Sequence, residues 1–97
     1  VMRFNLPARK KAFGRIASLL GRDIAGLSID EAAHSAIAAV EDLRRRIGIP
    51  QRIRDLGGSE EQLPSFAEKA FALDRLKGVT PRAPSLADLE QILRAAY

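Results

Sequence analysis

Between Ser28 and Gly48 apolar and polar residues follow a helical period without interruption for longer than anywhere else in the chain. Ser28 with Glu31 three residues on is a capping box, the hydroxyl taking one orphan backbone N–H and the carboxylate another, so a helix is predicted to begin at Ile29. Ile29, Ala33, Ala36, Ile37, Val40, Leu43 and Ile47 recur at intervals of three and four, the spacing of an apolar stripe on a rod about 28 Å long. Gly48 can take the left-handed conformation after the last turn, and Pro50 cannot continue the helix. Alanines at 32, 33, 36, 38 and 39 keep the first half of the stripe shallow, so a neighbouring helix is expected to approach closely and this rod to be the core of a bundle.

The flanking pattern is helical too. Val1 to Asn5 reads as the tail of a preceding element, with Val1, Met2 and Phe4 apolar enough to be buried. Pro7 suits a first helical turn, and Ala8 to Leu20 predicts a helix with Phe13, Ile16, Ala17 and Leu20 on one face, stopped by Gly21. A short helix over Ile49 to Leu56, with Ile49, Ile53 and Leu56 inward, is closed by Gly57 and Gly58. Ser59 with Gln62 is a second box, and Pro64 restarts a helix to about Lys77 in which Phe66, Ala70 and Leu73 face the core. Gly78 breaks it. Thr80 to Pro84 is a stiff extended linker, since two prolines and the restricted residues before them disfavour helix. Ser85 caps a last helix with Leu86, Leu89, Ile92, Leu93 and Ala96 as its stripe. There is no strand pattern or repeat. The expected fold is all-α, a bundle of about five helices forming a single domain over residues 1–97.

Ninety-seven residues bury enough surface to fold without staples, and with no cysteine there is no disulfide, thiolate ligand or cysteine nucleophile. No apolar run approaches the roughly 18 residues of a membrane span. These features fit a cytoplasmic protein without a membrane partner. The net charge of +4 invites a nucleic-acid reading until the charges are located. Residues 1–27 carry six basic groups against one acid, and the rest of the chain is balanced. Arg44, Arg45 and Arg46 stand in the last turn of the central helix and Asp30 and Glu31 in its first, the arrangement the helix dipole favours, so no nucleic acid is needed to explain them. Arg9, Lys10 and Lys11 stand at the unfavourable end of their helix, as a solvated face or as a phosphate or partner site.

Candidate chemistry is sparse. His34 is the one histidine, flanked by small residues, with no cysteine or second imidazole to share a metal. Asp74 with Arg75, and Glu60 with Glu61, offer no pairing that spacing supports, and no glycine belongs to a dinucleotide or phosphate-loop pattern. Gln51, Arg52 and Arg54 after the turn at Gly48 imitate a helix-turn-helix reader, but the second helix would be too short for a major groove. No catalytic, cofactor-binding or metal-binding residue is read from these patterns.

Several stretches carry a likeness together: Val1-Met2-Arg3-Phe4-Asn5, Gly26-Leu27-Ser28 with Glu31-Ala32-Ala33, Ile47-Gly48-Ile49-Pro50 followed by Arg54-Asp55-Leu56-Gly57, Leu63-Pro64, and Pro81-Arg82 with Leu86, Asp88 and Leu89. In order and spacing they resemble the C-terminal helical region of the iron-containing (group III) alcohol dehydrogenases, whose fold is dehydroquinate synthase-like. The resemblance implies an enzyme that moves a hydride between NAD(H) or NADP(H) and a small alcohol or aldehyde, with iron(II) polarising the oxygen. It also implies that the chain, which opens on Val1, is a fragment. The family's N-terminal nucleotide-binding domain, with its glycine-rich loop and with one aspartate and three histidines for the metal, would lie before it.

None of those ligands maps onto this chain, and His34 falls where the family has none. By the same resemblance these helices form a wall of the cleft, and the end of the helix before the Pro-Arg linker, Leu76 and Lys77, comes near the substrate. The family's usual asparagine before Pro-Arg is Thr80 here. The fragment is expected to be inactive alone and, with apolar surface left uncovered, to self-associate. A maleylacetate reductase of the same superfamily and a basic helical binding module are the alternatives.

Overall fold

A computed structural model describes the backbone of residues 1–97 and every side chain except that of Leu76. Along the chain run α1 (Met2–Asn5), α2 (Lys10–Leu19), α3 (Ile29–Arg46), α4 (Leu63–Phe71), α5 (Asp74–Lys77) and α6 (Leu86–Ala96). Single 3-10 turns stand at Leu6–Ala8, Ile53–Leu56 and Glu60–Gln62. The fold is all-α, with no strand among the described residues. Its contacts group into two compact units, Val1–Ile49 and Pro50–Tyr97.

In the first unit α3 begins and ends as its sequence dictates. The Glu31 amide donates to the Ser28 hydroxyl at 3.1 Å and the Ser28 amide to the Glu31 carboxylate at 2.7 Å. At the other end Gly48 takes φ 75°, and the amides of Gly48 and Ile49 turn back to the carbonyls of Arg45 and Arg44, a Schellman closure that satisfies two orphan acceptors. α3 packs on α2 through Ala32, Ala33, Ala36 and Ile37, all buried, against Phe13, Gly14 and Ala17. The approach is close because the residues are small: a Cβ added at Gly14 would stand 3.4 Å from the Ala32 methyl. Leu6 completes this core, with Met2 and Ile24 packed at its edge. Burying Phe13, Leu6 and Ile37 is worth about 1.5–3 kcal/mol each.

The predicted stripe needs correction at its ends. Ile29 and Ile47 are 56% and 60% exposed and Leu43 is also exposed. α2 has ten residues and α3 eighteen. At 1.5 Å per residue the shorter rod spans about 15 Å against about 27 Å, and since Lys10 at its start meets Asp30 at the start of α3, the shortfall falls at the Ile47 end. Pro7 opens the Leu6–Ala8 turn rather than the helix itself, so α2 starts at Lys10 instead of Ala8. Ile16 and Leu20 are exposed, and so is Val1, while Met2 and Phe4 are half-buried.

In the second unit α4 packs on α6 around Leu63 and Ala67, both fully buried. The short helix expected over Ile49 to Leu56 is only a 3-10 turn, because Pro50 disfavours helix in the residue before it and Gly57, at φ 85°, ends the turn at once. Leu56 and Ile49 are exposed rather than inward. The helix expected to run from Pro64 to Lys77 breaks at Leu73. There φ −85° and ψ 71° with an Asp74 amide bond of 3.1 Å to the Ala72 carbonyl form an inverse γ-turn. The break turns Leu73 outward, and Phe66 and Ala70 are half-buried beside the Leu63–Ala67 contact that carries the packing.

Candidate functional site

Ser85 opens α6 with the same reciprocal box as α3. Its amide donates to the Asp88 carboxylate at 2.9 Å, and the Asp88 amide donates to its hydroxyl at 3.1 Å. These bonds, the Ser85 amide first and the hydroxyl next, hold the Asp88 carboxyl below the usual carboxylate range, with the Arg82 charge adding to them. Residues 72–85 are thus a connection whose two ends are fixed by helices that pack on each other, α4 and α6.

Within this connection stands α5, one helical turn opened by the γ-turn at Leu73. Asp74 and Lys77, three residues apart, share one side of it. The Lys77 ammonium lies 2.8 Å from the Asp74 carboxylate and 3.8 Å from the centroid of the Phe71 ring. Hydrogen bonding to Lys77, and then its charge, hold the Asp74 carboxyl below its ordinary value. The lysine side chain is 23% exposed and its aspartate partner 90%. Beyond the turn the Thr80 hydroxyl stands 2.9 Å from the Lys77 carbonyl and 2.8 Å from that of Arg82. With one proton it donates to one of them at a time, pinning the chain before Pro81. Around this group Phe71, Leu73 and Val79 present exposed apolar surface.

Of the two positions assigned to the substrate, Lys77 is therefore half-buried and paired, and the side chain of Leu76 lies outside the described residues. Sequence reasoning set Asp74 beside Arg75 and missed its pairing with Lys77. The i, i+3 spacing was the available signal.

The remaining candidates are engaged locally. His34 is exposed, with Nδ1 2.8 Å from the Asp30 carbonyl one turn earlier, a bond that places the ring proton on Nδ1. Among the described residues no three His, Asp or Glu side chains converge as a metal ion requires. In the basic first third Lys10 pairs with Asp30 at 2.7 Å, Arg3 with Glu41 and Arg22 with Asp42, while Arg9 and Lys11 remain exposed. Lys10, by hydrogen bond and then charge, depresses the Asp30 carboxyl. Arg52, a candidate groove reader by sequence, donates to the Ala95 carbonyl at 2.9 Å. Among the described residues no helix is long and apolar enough to cross a membrane.

Comparison with known proteins gives one consistent result. Residues 1–97 match the family model described as the Fe-containing alcohol dehydrogenase family, C-terminal. The 1,3-propanediol dehydrogenase of Klebsiella pneumoniae is 42% identical over 97 residues, which are 100% of this chain and 25% of that protein. The NAD-dependent methanol dehydrogenase of Bacillus methanolicus is 38% identical over 96 residues, 99% of this chain and 25% of that protein. The crystal structure of a 1,3-propanediol oxidoreductase superposes with a TM-score of 0.90 at 42% identity, covering 100% of this chain and 25% of that one. The chain thus spans about a quarter of the length of the curated relatives it matches.

Proposed function

This chain belongs to the Fe-containing alcohol dehydrogenase family, in the region its C-terminal model describes, and from that premise we propose that it is the helical cap of an enzyme transferring a hydride between NAD(P)(H) and a small alcohol or aldehyde. The match of all 97 residues to that model is the observation that carries the reading. The names of the relatives, dehydrogenases of propanediol and methanol, support the substrate class.

In this reading iron(II) and the nucleotide are held by an N-terminal domain corresponding to the other three quarters of the relatives' length. One feature of the first unit supports a partner of that kind: Ile29 and Ile47 are exposed at the ends of α3.

The contribution of this chain is shape and exclusion of water. The connection between α4 and α6, with Leu76 and Lys77 at its centre, forms one wall of the substrate cleft. It is tied by the γ-turn at Leu73, the Thr80 hydroxyl and the cap at Ser85. Small substrates fit such a wall because Phe71, Leu73 and Val79 offer apolar contact and little hydrogen bonding.

The test is to supply iron(II), NADH or NADPH and short aldehydes to the full-length protein and to the 97-residue chain, and to follow the absorbance of the reduced cofactor. Turnover by the full-length protein alone is expected. Turnover by the isolated chain would refute the assignment of the metal and nucleotide sites to the other domain.

A further inference from the structure

We propose that the Asp74–Lys77 pair sets the charge preference of the substrate cleft, neutralising a cation that would otherwise favour aldehydes bearing a carboxylate, and so directs the enzyme to uncharged substrates. This rests on the proposed placement of Lys77 beside the substrate.

The ammonium is covered on two sides by groups that favour a cation, the Asp74 carboxylate at 2.8 Å and the face of the Phe71 ring at 3.8 Å. The two partners differ in position. The Asp74 side chain is 90% exposed and that of Lys77 only 23%, so the carboxylate is the more accessible partner to an approaching ligand. An anionic substrate has to displace Asp74 or stand against it, whereas an uncharged one meets a compensated pair and the apolar surface of Phe71, Leu73 and Val79. Such discrimination is built from repulsion as much as from attraction. Because the pair is solvent-exposed on its acidic side, its removal changes little in the fold.

Succinic semialdehyde and butanal have the same number of carbon atoms and differ in a terminal carboxylate, so their kcat/KM ratio in the full-length enzyme reads the preference. Asp74→Asn keeps size and shape and removes the charge. It is expected to raise the ratio in favour of the semialdehyde about fivefold, through KM, the size of effect an exposed to half-buried ion pair supports. The double variant Asp74→Asn, Lys77→Met loses that gain. Calorimetry with succinamate and butanamide, unreactive analogues with and without the carboxylate, shows the same shift in binding. Arg75→Gln, which removes a neighbouring exposed cation outside the pair, leaves the ratio unchanged.

If Lys77→Met alters KM for both aldehydes while Asp74→Asn leaves their ratio unchanged, the charge preference is refuted and the placement of Lys77 stands. If neither variant alters any KM, the placement itself fails. An equal response to Arg75→Gln overturns the assignment to this pair.

Discussion

The guanidinium of Arg52 donates a 2.9 Å hydrogen bond to the carbonyl of Ala95, in the last turn of α6. That carbonyl is one of the four that a helix leaves without an internal partner, and a cation at this end also suits the helix dipole. Arg52→Ala is expected to cost the second unit about 1 kcal/mol and to speed amide hydrogen exchange in the last turn of α6. Arg52→Lys restores the charge without the planar fork and recovers some of the loss. Unchanged exchange at the end of α6 would remove Arg52 from this role.

The cap of α3 makes a prediction in pH. The Glu31 carboxyl is depressed by the Ser28 backbone amide and then by its hydroxyl. A carboxyl with a lower pKa folded than unfolded stabilises the fold fully above its unfolded value, and the contribution is lost as pH falls through the folded one. Asp88 behaves alike at the start of α6. Thermal stability is therefore expected to be flat near neutrality and to drop in the acid range at and below ordinary carboxylate values. Glu31→Gln flattens some of that drop, and Ser28→Ala costs about 1 kcal/mol at neutral pH. Melting curves of the two variants against pH check both statements.

These caps were legible because they are local. Ser28 with Glu31 and Ser85 with Asp88 need only four consecutive residues to declare a helix start, and Gly48 before Pro50 a stop. The break at Leu73 was not legible, since no glycine or proline marks it and its γ-turn rests on one backbone bond, from the Asp74 amide to the Ala72 carbonyl. Which face of α3 is buried was half legible. Period alone selected Ile29 and Ile47, but both are exposed, while Ala32, which it passed over, is buried against Gly14 of α2. The placement of Lys77 beside the substrate came only from the family likeness, whereas its pairing with Asp74 was open to the i, i+3 spacing and its contact with Phe71 was not.

Two glycines are under steric control that differs in degree. A Cβ at Gly58 would stand 2.5 Å from the Ile53 Cγ2 atom and 3.2 Å from the Ile53 carbonyl oxygen, so the 3-10 turn has to move. Gly58→Ala is expected to destabilise the chain by about 1–3 kcal/mol. At Gly14 an alanine meets the Ala32 methyl at ordinary contact distance and is tolerated, whereas Gly14→Leu forces α2 from α3. Denaturant midpoints that rank Gly14→Ala below Gly58→Ala in stability would contradict this order.

Ile29 and Ile47, together with the exposed Leu19, leave apolar surface on the first unit. If a nucleotide-binding domain covers it in the full protein, the 97-residue chain prepared alone self-associates as its concentration rises. Light scattering showing a monomer at high concentration would count against that cover.

Isotope transfer reads the reaction proposed for the whole protein directly. The full-length protein is supplied with iron(II), a short aldehyde, and NADH or NADPH carrying deuterium at the transferable position of the nicotinamide. Deuterium is expected on the carbinol carbon of the alcohol formed, in step with cofactor oxidation. Cofactor oxidation that leaves the label out of the alcohol, or no alcohol at all from any short aldehyde, would contradict it.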